Sequence, residues 1–393
     1  MNHKRKIFPE LVKHLSQKQV TVLTGMRRTG KTTLLKELKE HSKIKQKLFF
    51  DLERLDHRIL FNQENYDAIP LALEQQGIDF SKKVLICLDE IQLSPNLPST
   101  IKYLYDHYDI KFIVTGSSSY YIKNKFQESM AGRKKIFEIY PLDFGEYLTF
   151  NKVKFKEFTS FEELNFNEFE YNRLQKYYED FIEYGGFPQV VLAKNKTDKM
   201  DILQDIYSSY MNMDILQVAD IQKPTELLHI IRLLASRIGS KLDVSKLANT
   251  VKISRQTVDN YLNVLENTYL IQMLPVYSQN PDKEIVKAKK VYFTDNGIAT
   301  INGDLSGGQK FENAVFNQLK QLGDLAYYQL KTGNEIDFIL NQEFSFEVKE
   351  VAHHNDYNKL MRLSKNIEIK KGKVLSRLKS KEFEHLIWGG TIR

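Results

Sequence analysis

"VTVLTGMRRTGKTTLLKEL", residues 20–38, decides how the rest of the chain is read. An apolar run over residues 20–23 enters Gly25-Met26-Arg27-Arg28-Thr29-Gly30-Lys31-Thr32-Thr33, and apolar residues then recur at helical spacing. Strand, glycine-framed loop and helix in that order, spaced G-x-x-x-x-G-K-T, is the P-loop pattern. Its glycines let backbone N–H groups curl around phosphate oxygens, and the helix adds the partial positive charge of its N-terminus. The pattern predicts that residues 25–33 cradle the phosphates of ATP. Lys31 would reach the β- and γ-phosphates, and the Thr32 hydroxyl would ligate magnesium.

Two further apolar strands fit around that loop. "KVLICLDEIQ" ends in Asp89-Glu90. Asp89 suits a magnesium-holding role, often through water, and Glu90 is placed to polarise an attacking water. "IKFIVTGSSS" ends in Thr115-Gly116-Ser117, where a hydroxyl, Ser117 in particular, would sense the γ-phosphate; a plain strand-to-helix turn reads the same way. "MAGRKKIFEIYPLDFGEY" supplies Arg133. That arginine is read either as a finger on a neighbour's nucleotide, which requires a homo-oligomer, or as half of a surface ion pair.

With 393 residues, 42% of them hydrophobic and 12% aromatic, the chain has material for several cores. The net charge of +7 permits contact with nucleic acid without requiring it. One cysteine, Cys87, lies inside an apolar run, which excludes a disulfide framework and a cysteine-based zinc site and suits the cytoplasm. No run approaches the ~18 apolar residues of a membrane span, so no membrane partner is expected.

After residue 150 the pattern turns charged, aromatic and helical, stopped by Gly185-Gly186 and Pro188. It reads as a helical subdomain closing over the nucleotide. A helix near residues 244–247, a turn at Lys252-Ile253 and a second helix from an N-cap at Ser254 to Glu266 follow, then two strands joined at Asn280-Pro281. Helix–turn–helix plus hairpin is a winged helix. Arg255, Gln256, Asp259 and Asn260 would face outward, and Lys283, Lys287, Lys289 and Lys290 would meet DNA phosphates. Such a module serves equally as a protein-docking or domain-coupling element, and Asp259 and Glu266 weaken its positive field.

Near the C-terminus, "GNEIDFILNQEFSFEVKE" reads as two strands around a polar turn, yet it carries Asp337, Glu347 and Lys349. A three-residue turn at Asn341-Gln342-Glu343 would set Leu340 opposite Phe344 and Asp337 opposite Glu347, whereas a two-residue turn would put the acids on opposite faces. Facing carboxylates about 5 Å apart repel unless something compensates them, and a divalent metal is the usual answer. The alternative is an exposed hairpin edge with solvated charges. The preceding helix pattern, "GGQKFENAVFNQLKQLG", places Glu312 beside Val315, Phe316 and Leu319.

"TGMRRTGKTTLL", "LDEIQ", "TGSSS", "AGR", "YPLDFGEY", "YGGFPQVV", "KVYFTDNGI" and "GNEIDFIL…FEVKE" occur in one order. Together they resemble bacterial and archaeal AAA-type ATPases joined to a C-terminal domain of unknown function. The resemblance implies an α/β protein: an AAA-like ATPase domain (residues 1–150), a helical subdomain (151–230), a winged helix (231–295) and a restriction-endonuclease-like domain (296–393). By the same resemblance Asp337 and Glu347 bind magnesium, Glu312 completes or supports the shell, and Lys349 stabilises the attacking hydroxide or the phosphorane. The resemblance gives parts rather than a purpose; the order of the motifs reads as an ATPase acting on DNA with phosphodiester cleavage. The rivals are a nucleotide-dependent switch whose C-terminal domain only binds a partner, and a transcription regulator with an ATP sensor.

Overall fold

The computed structural model describes residues 4–117, 130–162, 164–216, 221–278, 288–383 and 386–393. Five parallel strands form the N-terminal sheet: β1 (Val20–Thr24), β2 (Gln46–Asp51), β3 (Val84–Asp89), β4 (Ile110–Gly116) and β5 (Lys134–Glu138), in the order β2-β3-β4-β1-β5. Alternation along β3 sends Ile86 and Leu88 into one apolar cluster and Leu85 and Cys87 into another. Both faces are thus covered, as a parallel sheet requires. Burial pushes the Cys87 thiol up to about 12, consistent with an inert core residue. Strands β2 and β5, which carry no motif, flank the three strands read from sequence.

Beyond the sheet, helices Glu168–Tyr184, Pro188–Leu192 and Lys196–Tyr210 precede a helix–turn–helix made by Val244–Val251 and Arg255–Asn267. Ser254 caps the second of these through the Thr257 N–H at 3.0 Å. Strands β6 (Ile271–Leu274) and β7 (Lys290–Phe293) then pair antiparallel. The expected turn at Asn280-Pro281 lies outside the described residues, as do Lys283, Lys287, Ser118 and Ser119.

A second five-stranded sheet holds β8 (Leu325–Gln329), β9 (Glu335–Leu340), β10 (Phe344–Val351), β11 (Lys371–Leu378) and β12 (Ile387–Trp388), in the order β12-β11-β10-β9-β8. Strands β8, β9 and β10 are antiparallel neighbours, while β11 lies parallel to β10 after the crossover helix His354–Lys365. The β9–β10 register pairs Leu340 with Phe344 and Phe338 with Phe346, so the turn has three residues. Asn341 and Gln342 take positive φ of 52° and 58° there, which asparagine tolerates well. The pairing ends at Phe338 and Phe346; beyond it the Asp337 side chain accepts the Val348 N–H.

One apolar cluster runs from Leu142 through the helical segment, the helix–turn–helix and the second sheet to Ile392. The three parts beyond the first sheet therefore share a core. Their joint explains two motifs. The Leu142 N–H donates to Gly186 O at 2.7 Å, and the Asp295 carboxylate accepts the N–H groups of Gly186 (2.7 Å) and Ile298 (3.1 Å). Burial pushes Asp295 up to about 6, against the pull of those N–H groups. A carboxyl raised in the folded state adds stability that is complete below its unfolded pKa and is lost as pH rises through about 6. Stability is therefore expected to fall between pH 4 and 6.5 by an Asp295 contribution on the order of 2–3 kcal/mol. Denaturant melts across that range should give Asp295→Asn a shallower pH slope than the parent, and equal slopes would refute the assignment.

Candidate functional site

Strands β1, β3 and β4 end on one edge of the sheet, where ligands bind in open α/β folds. Gly30, at φ 98°, caps the helix Lys31–His41 and turns its free N–H groups toward the loop. The Lys31 ammonium is folded back, donating to Gly25 O at 2.8 Å and Met26 O at 2.9 Å. Burial holds it below the usual lysine range, opposed by Glu90 and Asp214. Asp89 is raised by burial, opposed by hydrogen bonds from the Thr115 and Thr32 hydroxyls. Thr32 and Asp89 thus lie together as an oxygen donor pair suited to magnesium.

Glu90 follows in a left-handed conformation, φ 57°, costly for a residue with a side chain. Its N–H donates to the Thr115 hydroxyl at 3.1 Å and its carboxylate accepts from Gln92. Gln92 also donates to the Ser117 hydroxyl at 3.0 Å. Thr115 and Ser117, at the end of the strand between β1 and β3, therefore hold Asp89, Glu90 and Gln92 in place.

The two P-loop arginines engage the helical segment. Arg28 donates to Gln189 and Asp205, both at 3.0 Å, and Arg27 sits 2.9 Å from the Asp214 carboxylate at an angle too bent for a hydrogen bond. Met26 buries its side chain in the large core, leaving only its backbone to the loop. Arg133 lies elsewhere. Its carbonyl accepts the Val20 N–H at 2.8 Å, at the start of β1, and its guanidinium pairs with Asp106 at 3.0 and 3.2 Å. That is the opposite edge from the P-loop, so within one chain Arg133 is a surface ion pair, and a finger role needs a neighbouring copy.

In the second sheet, Asp337 accepts the Val348 N–H at 2.8 Å. Glu347 sits against two ammonium groups, Lys349 at 2.8 Å and Lys359 at 3.1 Å, both on one oxygen. Its other oxygen, Oε2, is buried without a partner. Burial raises Glu347 and Asp337 raises it further, while the lysines oppose. Burial alone would lower Lys349, yet Asp337 and Glu347 lift it above the usual range. Lys349 and Lys359 thus compensate the acids, and one carboxylate oxygen, Glu347 Oε2, is left over. Glu312 accepts the Tyr292 hydroxyl at 2.7 Å, with burial and then Asp337 pushing it up to about 7. Among the described residues no three carboxylate, imidazole or thiol groups converge to hold a metal.

Lys290 was expected on phosphate; instead it is 2% exposed and pairs with Glu335 at 3.1 Å. Strand β7 is buried along its whole length, and Glu335 meets the ammonium there. Lys289, Arg255, Gln256, Asp259 and Asn260 are exposed, with Arg255 and Asp259 paired at 3.9 Å. His353 and His354 are exposed as well.

Residues 17–148 match the family described as an AAA domain. They form an AAA-type P-loop domain. Residues 175–306 match a family described as a domain of unknown function, DUF8612. An uncharacterized protein of Haemophilus influenzae is 24% identical over 359 residues, 86% of this chain and 85% of that one. Two from Methanocaldococcus jannaschii, MJ1544 and MJ1637, are 26% identical over 358 residues and 28% over 355. The first match covers 87% of this chain and 76% of the relative, the second 82% and 73%. Among solved structures, Aeropyrum pernix ORC1 in complex with DNA aligns at TM-score 0.34 and 11% identity, over 77% of this chain and 92% of that one. Aeropyrum pernix ORC2 in its ADP form aligns at 0.37 and 13%, over 75% and 90%. Likeness at that distance carries no inference about function. No helix among the described residues is long and apolar enough to cross a membrane.

Sequence reading missed three residues around the two sites. Arg5 bridges Thr29 O (2.8 Å), Tyr140 O (2.9 Å) and Glu146 (2.9 Å), tying the P-loop to the helix Phe144–Phe150. The D-x-x-E spacing of Asp143 and Glu146 signals the capping box but not its arginine. Asp214 reaches the AAA domain from the helical segment, and Lys359 reaches Glu347 from the crossover helix; nothing local marks either one.

Proposed function

We propose that the chain binds and hydrolyses ATP and uses nucleotide state to reposition its helical subdomain (151–230), winged helix (231–295) and restriction-endonuclease-like domain (296–393) on the ATPase domain (1–150). The observation that carries this reading is the grip of the P-loop arginines on the helical segment, Arg28 on Gln189 and Asp205 and Arg27 on Asp214. Phosphates entering the loop would draw Lys31 off the Gly25 and Met26 carbonyls. Glu90, fixed through Thr115 and Gln92, would orient the attacking water and take its proton. Magnesium held by Thr32 and Asp89 would neutralise phosphate charge.

DNA is the partner this reading favours for the second half. The chain order from Gly307 to Leu378 is helix, three strands, crossover helix and strand, with Asp337, Glu347 and Lys349 on the central hairpin. That supports a phosphodiester-cleaving site in which Asp337 and Glu347 would hold magnesium. Lys349, joined by Lys359, would stabilise charge on the phosphorane. Pure protein with magnesium or manganese, with and without ATP, is expected to nick plasmid or branched DNA. Asp337→Ala should reduce cutting at least about a hundredfold, and Lys31→Ala should alter its ATP dependence. ATP hydrolysis without cleavage on any substrate would favour the switch, with the C-terminal site binding a partner.

A further inference from the structure

We propose that Asp214 stands in for the γ-phosphate of ATP in the nucleotide-free protein and thereby sets the preference between ATP and ADP. The inference rests on the reading that residues 25–33 bind ATP, and goes beyond it in naming the residue that distinguishes the two nucleotides.

Asp214 is 1% exposed and belongs to the wide turn Met211–Ile215, which continues the helix Lys196–Tyr210. Wide turns of this kind recur at functional sites. A buried carboxylate is costly unless donors and cations meet it. Here one oxygen accepts the Ser117 hydroxyl at 2.5 Å, and the other lies 2.9 Å from Arg27 Nε. Lys31 adds its field, while Glu90 opposes. A hydroxyl at the end of β4, a guanidinium from the P-loop and the P-loop lysine are the groups a terminal phosphoryl oxygen would seek.

A carboxylate and a γ-phosphate cannot share those donors. ADP ends at the β-phosphate and leaves Ser117 and Arg27 with Asp214. ATP must displace it, and the lost contacts reduce its apparent affinity by the fraction of molecules in which Asp214 is clear. Displacement also carries a mechanical consequence. Asp205, which holds Arg28, lies on the helix that leads directly into the Asp214 turn. Expelling Asp214 therefore pulls on the helical segment at the moment the triphosphate seats, and ADP does not.

Calorimetric titration of the full chain with magnesium, using a non-hydrolysable ATP analogue and ADP, tests this. Asp214→Asn keeps the shape and removes the charge. It is expected to tighten the triphosphate about tenfold or more while ADP changes less than about threefold. Equal shifts for both nucleotides, or a weakened triphosphate, would overturn the proposal. If the parent binds neither nucleotide, the ATP reading itself fails and takes this one with it. A second measurement needs no variant: hydrogen exchange of residues 211–215 in the parent should be faster with the triphosphate analogue than with ADP. Equal protection refutes displacement.

Discussion

Glu90→Gln is expected to slow ATP hydrolysis about a hundredfold or more while leaving nucleotide affinity within about threefold. Glu90 is anchored as a catalytic base would be. Its backbone is held in a left-handed turn by Thr115, its carboxylate is steadied by Gln92, and it flanks the Lys31 ammonium. Glutamine preserves size and most hydrogen bonds but cannot accept the water's proton. Steady-state phosphate release paired with fluorescent-nucleotide binding separates this from Lys31→Ala, which should lose binding itself because no other ammonium reaches the loop carbonyls among the described residues. Hydrolysis by Glu90→Gln at the parental rate would remove Glu90 from the mechanism.

The second large effect concerns stability. Gly186→Ala is expected to destabilise by about 3 kcal/mol or more, or to prevent accumulation of soluble protein. A Cβ there would lie 2.1 Å from Leu142 O and 2.9 Å from Leu142 N. Both are backbone atoms of the strand-to-helix corner that pairs with Gly186 at 2.7 Å, so neither yields without breaking the joint. Gly308→Ala is the matched control: its nearest neighbours are 3.9 Å away at a helix start, and it should melt as the parent does. Comparable melting of Gly186→Ala and Gly308→Ala would mean that the ATPase domain and the rest do not depend on this corner.

Much of this was legible locally. The P-loop, the acid pair after β3, the hydroxyls after β4 and the Ser254 cap each depend on neighbours a few residues away, where spacing dictates geometry. The three-residue hairpin turn was one of two readings until the register paired Leu340 with Phe344. Arg133 and Lys290 illustrate the limit. Arg133 was read as a finger or as half of a surface ion pair and Lys290 as a phosphate contact; the fold pairs Arg133 with Asp106 at the far edge and Lys290 with Glu335 inside.

By itself the sequence determined where the glycine-framed loop turns into its helix and which strand carries the acids, because both follow from dihedral freedom and alternation over a few residues. Only the tertiary structure decided what surrounds them. Asp214 meets Ser117 across 97 positions, Arg5 meets Glu146 across 141, and the Asp295 carboxylate takes the Gly186 N–H across 109. Such pairs carry no local signature. They form because a charge or an N–H group buried by the fold must find a partner, and packing brings that partner from a distant part of the chain.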